Sequence, residues 1–87
     1  MAVVQQEFKI LGAQGLHARP AALFVQAATR YTSDITLIKD GEEVDGKSIM
    51  EILTLGAQKD SVLILRIDGE DADQALIELG QLLTKEE

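Results

Sequence analysis

The stretch Ile35-Thr36-Leu37-Ile38-Lys39-Asp40-Gly41-Glu42-Glu43-Val44-Asp45 decides how this chain is wound. Ile35 and Leu37 alternate with Thr36 and Ile38, the period of a β-strand. Asp40-Gly41 is a two-residue turn signal. Glu42 to Asp45 can return as a short, polar strand whose charges suit the edge of a sheet.

Helical segments flank this pair of strands, and a further strand lies beyond each. Towards the N-terminus, Val3 to Leu11 reads as a strand with Phe8 and Ile10 on one face. Gly12-Ala13-Gln14-Gly15 breaks the pattern as a flexible loop. From Ala18 the chain is helical: Ala21, Phe24, Val25 and Ala28 fall at i, i+3, i+4 and i+7. Pro20 sits in the first turn, where its missing N–H costs no internal bond. Towards the C-terminus, Ser48 and Glu51 form an S-x-x-E capping box, and Gly56 stops a helix of about two turns. Val62 to Ile67 is nearly all apolar, as a central strand should be. Ala72, Ala75, Leu76, Leu79, Leu82 and Leu83 repeat at helical spacing behind Asp71, a natural N-cap.

The order β-α-β-β-α-β-α predicts an α+β open-faced sandwich. Two interleaved β-α-β units give a four-stranded antiparallel sheet in the order 1-4-2-3, with three helices on one face and the acidic strand at an edge. Without an internal repeat or linker, residues 1–87 read as a single domain. Phe24, Leu37, Val62, Ile64, Leu76 and Leu79 are the expected core. An all-apolar central strand leaves open which of its faces points inward.

Eighty-seven residues suffice for one small core, and with only 3% aromatic residues that core must be aliphatic. Eight basic residues against fifteen acidic ones give a net charge of −7, which argues against non-specific nucleic-acid binding. The absence of cysteine excludes disulfides, thiolate metal sites and thiol nucleophiles. No leader-like pattern opens the chain, since Met1-Ala2-Val3-Val4 runs quickly into Gln5, Gln6 and Glu7. No apolar run approaches the roughly 20 residues of a membrane span. A cytoplasmic monomer without a membrane segment is the expectation.

His17, the single histidine, stands in Gly15-Leu16-His17-Ala18-Arg19-Pro20, where loop turns into helix. The first turn of a helix carries unpaired N–H groups and the positive end of the macrodipole. A neutral imidazole is a competent nucleophile towards phosphorus, since its ordinary pKa of about 6.5 leaves it largely unprotonated at neutral pH. The N–H groups of Ala18 and Arg19, with the Arg19 guanidinium, could hold the incoming dianion. Taken alone, His17 could equally be a surface N-cap residue beside a chance arginine. A metal role lacks partner ligands. A small hydrolase with His17 as base is disfavoured, because so small a domain offers little volume for a pocket. No cofactor is implied.

In Gly46-Lys47-Ser48-Ile49-Met50-Glu51-Ile52-Leu53, apolar residues at 49, 50, 52 and 53 cover more than one face of a short helix. Ile49, Met50 and Leu53 should form an exposed patch of the kind that marks a partner surface. A small amphipathic helix with one stray methionine is the plainer alternative.

With these segments on the page, the chain resembles the HPr family of histidine-containing phosphocarriers, from the bacterial phosphoenolpyruvate-dependent phosphotransferase system. Residues 15–20 are similar to that family's active-site signature and residues 46–50 to its regulatory serine segment. The resemblance covers essentially the whole chain. It implies that His17 takes a phosphoryl group on Nδ1 from phosphorylated enzyme I and passes it to a sugar-specific or nitrogen-related enzyme IIA. Arg19 would then neutralise the phosphate. It implies regulation at Ser48 by a serine kinase and phosphorylase, and contact with a transcription regulator. Leu16, Lys47, Ile49, Met50 and Leu53 become the expected partner surface. The family also has a regulatory branch without the histidine, and His17 places this chain among the carriers. A regulatory binding protein is the runner-up.

Overall fold

The computed structural model describes residues 3–86; Met1, Ala2 and Glu87 lie outside them, and with Met1 and Ala2 the start of the opening stretch read above for a leader. In chain order the elements are β1 (Val3–Lys9), α1 (Ala18–Ala28), β2 (Asp34–Lys39), β3 (Glu42–Asp45), α2 (Ile49–Thr54), β4 (Val62–Asp68) and α3 (Ala72–Leu83). The four strands form one sheet in the order β1-β4-β2-β3, every neighbour antiparallel. The expected architecture is the one observed.

The hairpin between β2 and β3 turns on Asp40 and Gly41, at φ 53° and 84°. Positive φ at both central residues is the geometry that matches the right-handed twist of paired strands, and Asp-Gly adopts it at little cost. Lys39 pairs with Glu42 across the turn. That register sets Val44 opposite Leu37 and turns both towards the core.

Which face of β4 points inward follows from pairing. Directly opposed residues of antiparallel strands share a face. Leu37 lies opposite Leu65 and Ile35 opposite Ile67, so Leu63, Leu65 and Ile67 are the buried set. Ile64 pairs with Ile38 and is only half-buried, while Val62 is 49% exposed. The expectation that Val62 and Ile64 are core residues is therefore corrected. In a run apolar on both faces, hydropathy does not choose a face; the cleaner alternation of β2 chooses it through the register.

The helices cover the inner face. Ala21, Phe24, Ala27 and Ala28 of α1 and Ala72, Ala75, Leu79, Gly80 and Leu83 of α3 are buried. Leu76, expected in the core, packs against it from a half-buried position. Alanines let α1 and α3 approach closely, which replaces the volume that aromatic residues would otherwise fill. At Gly80 the approach is closest: a Cβ there would lie 2.5 Å from Cζ of Phe8. This contact seats the end of α3 on β1.

Strand β1 stops at Lys9 and not at Leu11, yet its backbone stays paired for one residue more. Ile10 donates to the carbonyl of Ser61 at 2.8 Å and accepts from the N–H of Asp60 at 2.7 Å. Those bonds anchor the loop that follows.

Candidate functional site

The segment leading to His17, read from its two glycines as a flexible loop, is tied at its end to the rest of the fold. Gly15 is buried at φ +73°, and its N–H donates to the carbonyl of Gly12 at 3.0 Å. A Cβ at this position would stand 2.4 Å from the carbonyl oxygen of Ala57. Only glycine combines this backbone conformation with that approach. The next N–H, of Leu16, donates to the same Ala57 carbonyl at 2.9 Å, and the Leu16 side chain is 7% exposed. Leu16 is therefore a core anchor, a correction to its expected place on a partner surface.

His17 follows as the N-cap of α1, with extended backbone at φ −85° and ψ −169°. Its carbonyl accepts the first helical bond, from the N–H of Ala21 at 3.0 Å. The imidazole takes no part in capping. Ala18, Arg19 and Pro20 occupy the first turn, and Pro20 has no N–H to offer, so the open donors are those of Ala18 and Arg19. Neither meets an acceptor among the described residues. The ring is thus partly exposed, spent on nothing else, and set beside two unfilled donors at the positive end of a helix of 11 residues.

A cleft of about 560 Å³ opens beside it, where a pocket had not been expected. Residues of the loop and of the start of α1 line it together with Leu82, Leu83 and Lys85. Its lining joins residues from opposite ends of the chain, which local sequence pattern does not reveal. The cleft is open and shallow in chemistry. Among its described lining it presents the imidazole of His17, the amide of Gln14 and the cations Arg19 and Lys85.

The second centre lies at the start of α2. Ser48 is the N-cap, its Oγ accepting from the N–H of Glu51 at 3.3 Å. The expected capping box is only half made. Glu51 Oε1 accepts from the N–H of Asp45 at 3.0 Å, while the N–H of Ser48 donates to the Asp45 carbonyl at 3.1 Å. Asp45 Oδ1 in turn accepts from the N–H of Lys47 at 2.9 Å. A tight turn at the end of β3 has taken the partner that the box would have used.

Of the expected partner surface, Met50 is 72% and Leu53 38% exposed. Ile49 is half-buried against the core. Leu23, on α1, adds an exposed apolar side chain that the helical pattern had not singled out. Lys47 turns away from the patch, its Nζ donating to the carbonyl of Tyr31 at 2.8 Å. Tyr31 donates its hydroxyl to Glu78, which also pairs with Arg30. The Tyr31 hydrogen bond holds the Glu78 carboxyl below its usual range, and the same bond raises the Tyr31 phenol. This network joins residues 47 positions apart and has no local signature.

A family model described as the PTS HPr component phosphorylation site matches residues 4–85. The chain belongs to the HPr family, the phosphocarriers of the phosphotransferase system. It is 47% identical over 81 residues to the phosphocarrier protein HPr of Buchnera aphidicola subsp. Schizaphis graminum, covering 93% of this chain and 95% of that one. It is also 44% identical over 84 residues to the HPr-like protein Crh of Bacillus subtilis, covering 97% and 99%. Crh has been solved with a swapped domain in an intertwined dimer, at a TM-score of 0.75 and 45% identity over 92% of each chain. The crystal structure of HPr from Bacillus anthracis superposes with a TM-score of 0.92 at 42% identity, covering 97% of this chain and all of that one. No helix among the described residues is long and apolar enough to cross a membrane.

Proposed function

We propose that this chain is a phosphoryl carrier of sugar transport, taking the group on His17 Nδ1 from phosphorylated enzyme I and giving it to an enzyme IIA. The observation that carries the reading is the placement of His17: an N-cap whose imidazole is withheld from capping and stands beside two open N–H donors. In the transfer, the Nδ1 lone pair forms the new P–N bond as the donor's bond to phosphorus breaks. The electron pair of that bond stays with the donor, and no net proton moves if each group keeps its other N–H. The N–H groups of Ala18 and Arg19 and the Arg19 guanidinium take up charge on the phosphoryl oxygens. A helix terminus at an exposed site contributes only about 0.3–1 kcal/mol, which suits a group that must be given away.

The chain works in the cytoplasm as a single domain over residues 1–87 and as a monomer, without a cofactor or metal. Met50, Leu53 and Leu23 offer apolar contacts to enzyme I, with Ile49 at their border. Ser48 is a second phosphorylation point: added charge beside that apolar patch weakens docking of enzyme I while leaving the imidazole where it is. The Ser48 modification would be made by a kinase and removed by a phosphorylase, and the modified form would be read by a transcription regulator.

The similarity to Crh supports a second reading, a regulatory binding protein whose phosphorylation state alone carries the signal. Incubation with enzyme I, labelled phosphoenolpyruvate and an enzyme IIA separates the two. A carrier acquires acid-labile label, loses it onward, and fails at both in His17→Ala. Label that stays on the chain in the presence of enzyme IIA favours the binding protein. Acid-labile label that persists in His17→Ala removes His17 from the chemistry.

A further inference from the structure

The chain carries eight basic residues. Arg30, Lys39 and Arg66 are paired with carboxylates, and Lys47 is held by the Tyr31 carbonyl. Of the remaining four, Arg19 and Lys85 line the same cleft as His17. No aspartate or glutamate among the described residues joins them there, although the chain has fifteen acidic residues. On a protein of net charge −7, the described lining of this cleft is cationic.

Lys85 is brought to that rim by long-range packing. Gly80 sits on the ring of Phe8, and Leu83 is 3% exposed. The turn behind it closes through Thr84, whose N–H and Oγ1 both donate to the Gly80 carbonyl, at 3.1 and 3.0 Å. Lys85 then passes over the loop so near that its carbonyl oxygen would be 3.7 Å from a Cβ on Gly12.

We propose that Lys85 is the second cationic partner of the phosphoryl group on His17, acting with Arg19 from the lining of the same cleft. The inference rests on the carrier reading above and adds to it a residue from the far end of the chain. Its consequence is a longer-lived phosphohistidine. Hydrolysis adds water to phosphorus, breaks the P–N bond, and returns the electron pair and a proton to the ring, releasing inorganic phosphate. In a loose transition state the phosphoryl oxygens give up negative charge to the departing nitrogen. A lysine beside those oxygens holds the bound state more firmly than the departing one. It also disfavours the extra proton on the ring, so both effects slow the loss.

The test is the lifetime of the isolated phosphoprotein, prepared with enzyme I and phosphoenolpyruvate, freed of both, and followed by 31P NMR at neutral pH. Lys85→Gln, which keeps the stem and removes the charge, is expected to shorten the half-life by about two- to fivefold, the range of an exposed charge pair. Lys85→Arg is expected to restore it. The difference should shrink in about 1 M salt, where the screening length falls to about 3 Å. An unchanged half-life in Lys85→Gln overturns the proposal. If that variant shows only a raised KM for enzyme I, Lys85 serves docking; if it shows only a lower melting temperature, Lys85 serves the end of α3; either result refutes the inference. A parent chain that takes no phosphate on His17 defeats the carrier reading itself, an outcome distinct from an unchanged lifetime.

Discussion

His17 and Ser48 occupy the same position at the start of two helices and are used in opposite ways. Ser48 spends its side chain on the cap: Oγ takes the N–H of Glu51, and the Glu51 carboxylate takes the N–H of Asp45. His17 spends nothing: its backbone is extended as a cap requires, but the imidazole is left to the cleft and the first donors of α1 stay open. One start is satisfied internally. The other leaves its donors open. Asp71 shows a third use of this position. It precedes α3 and was expected to cap it, yet its carboxylate caps nothing and instead accepts from the N–H and hydroxyl groups of Thr32 and Ser33. A capping residue type thus marks where a helix begins; what else competes for the side chain decides what it does.

The largest test of this contrast is His17→Ala. Acid-labile phosphorylation should fall to background, and the melting temperature should not move, because no cap bond is lost. A variant that melted early would make His17 a structural cap after all.

Gly15→Ala comes next and acts through the backbone. A β-carbon at φ +73° would meet the Ala57 carbonyl at 2.4 Å, so the loop must leave its anchor. A non-glycine residue in such a region costs about 1–3 kcal/mol before the clash is counted. Chemical denaturation should register at least that loss, and phosphorylation of His17 should slow with it. Parent-like stability would mean that the loop is not pinned.

Ser48→Ala should reverse the pattern of His17→Ala. Loss of the cap bond costs about 1 kcal/mol of stability. Transfer to His17 in the unmodified protein should be unchanged when measured well below the melting temperature. Equal loss in both assays would couple the two centres through the fold and weaken the contrast.

The smallest effect is expected at Asp71. The Ser33 hydroxyl first, and then the Thr32 N–H, hold its carboxyl down to about 2 from an ordinary 3.8. A folded-state value below the unfolded one adds stability that is fully present above the ordinary value and is lost as pH falls through about 2. Asp71→Asn should therefore melt below the parent at neutral pH. The gap should close as the pH is lowered from about 4 towards 2. A gap that persisted at pH 2 would show that the charge is not what matters.

Periodicity and turn chemistry were enough to read element order, sheet order and most of the core from residues near one another in the chain. Asp40-Gly41 fitted its turn, Ile35 and Leu37 marked the inner face of β2, and Ala21, Phe24 and Ala28 marked that of α1. The places of His17 and Ser48 at helix starts were legible because a helix start and its cap are local features. What stayed hidden was decided by partners far away in sequence. Val62 and Ile64 face outward because Leu65 must lie opposite Leu37. Leu16 is buried because Gly15 lets the loop reach Ala57, and Glu51 leaves its box because Asp45 needs an acceptor. Lys85 lines the same cleft as His17, from the end of a helix whose Gly80 fits against Phe8. Short-range energetics choose the elements and their beginnings. Close packing between elements chooses which side chains remain free, since each buried contact claims a group that local pattern had left available.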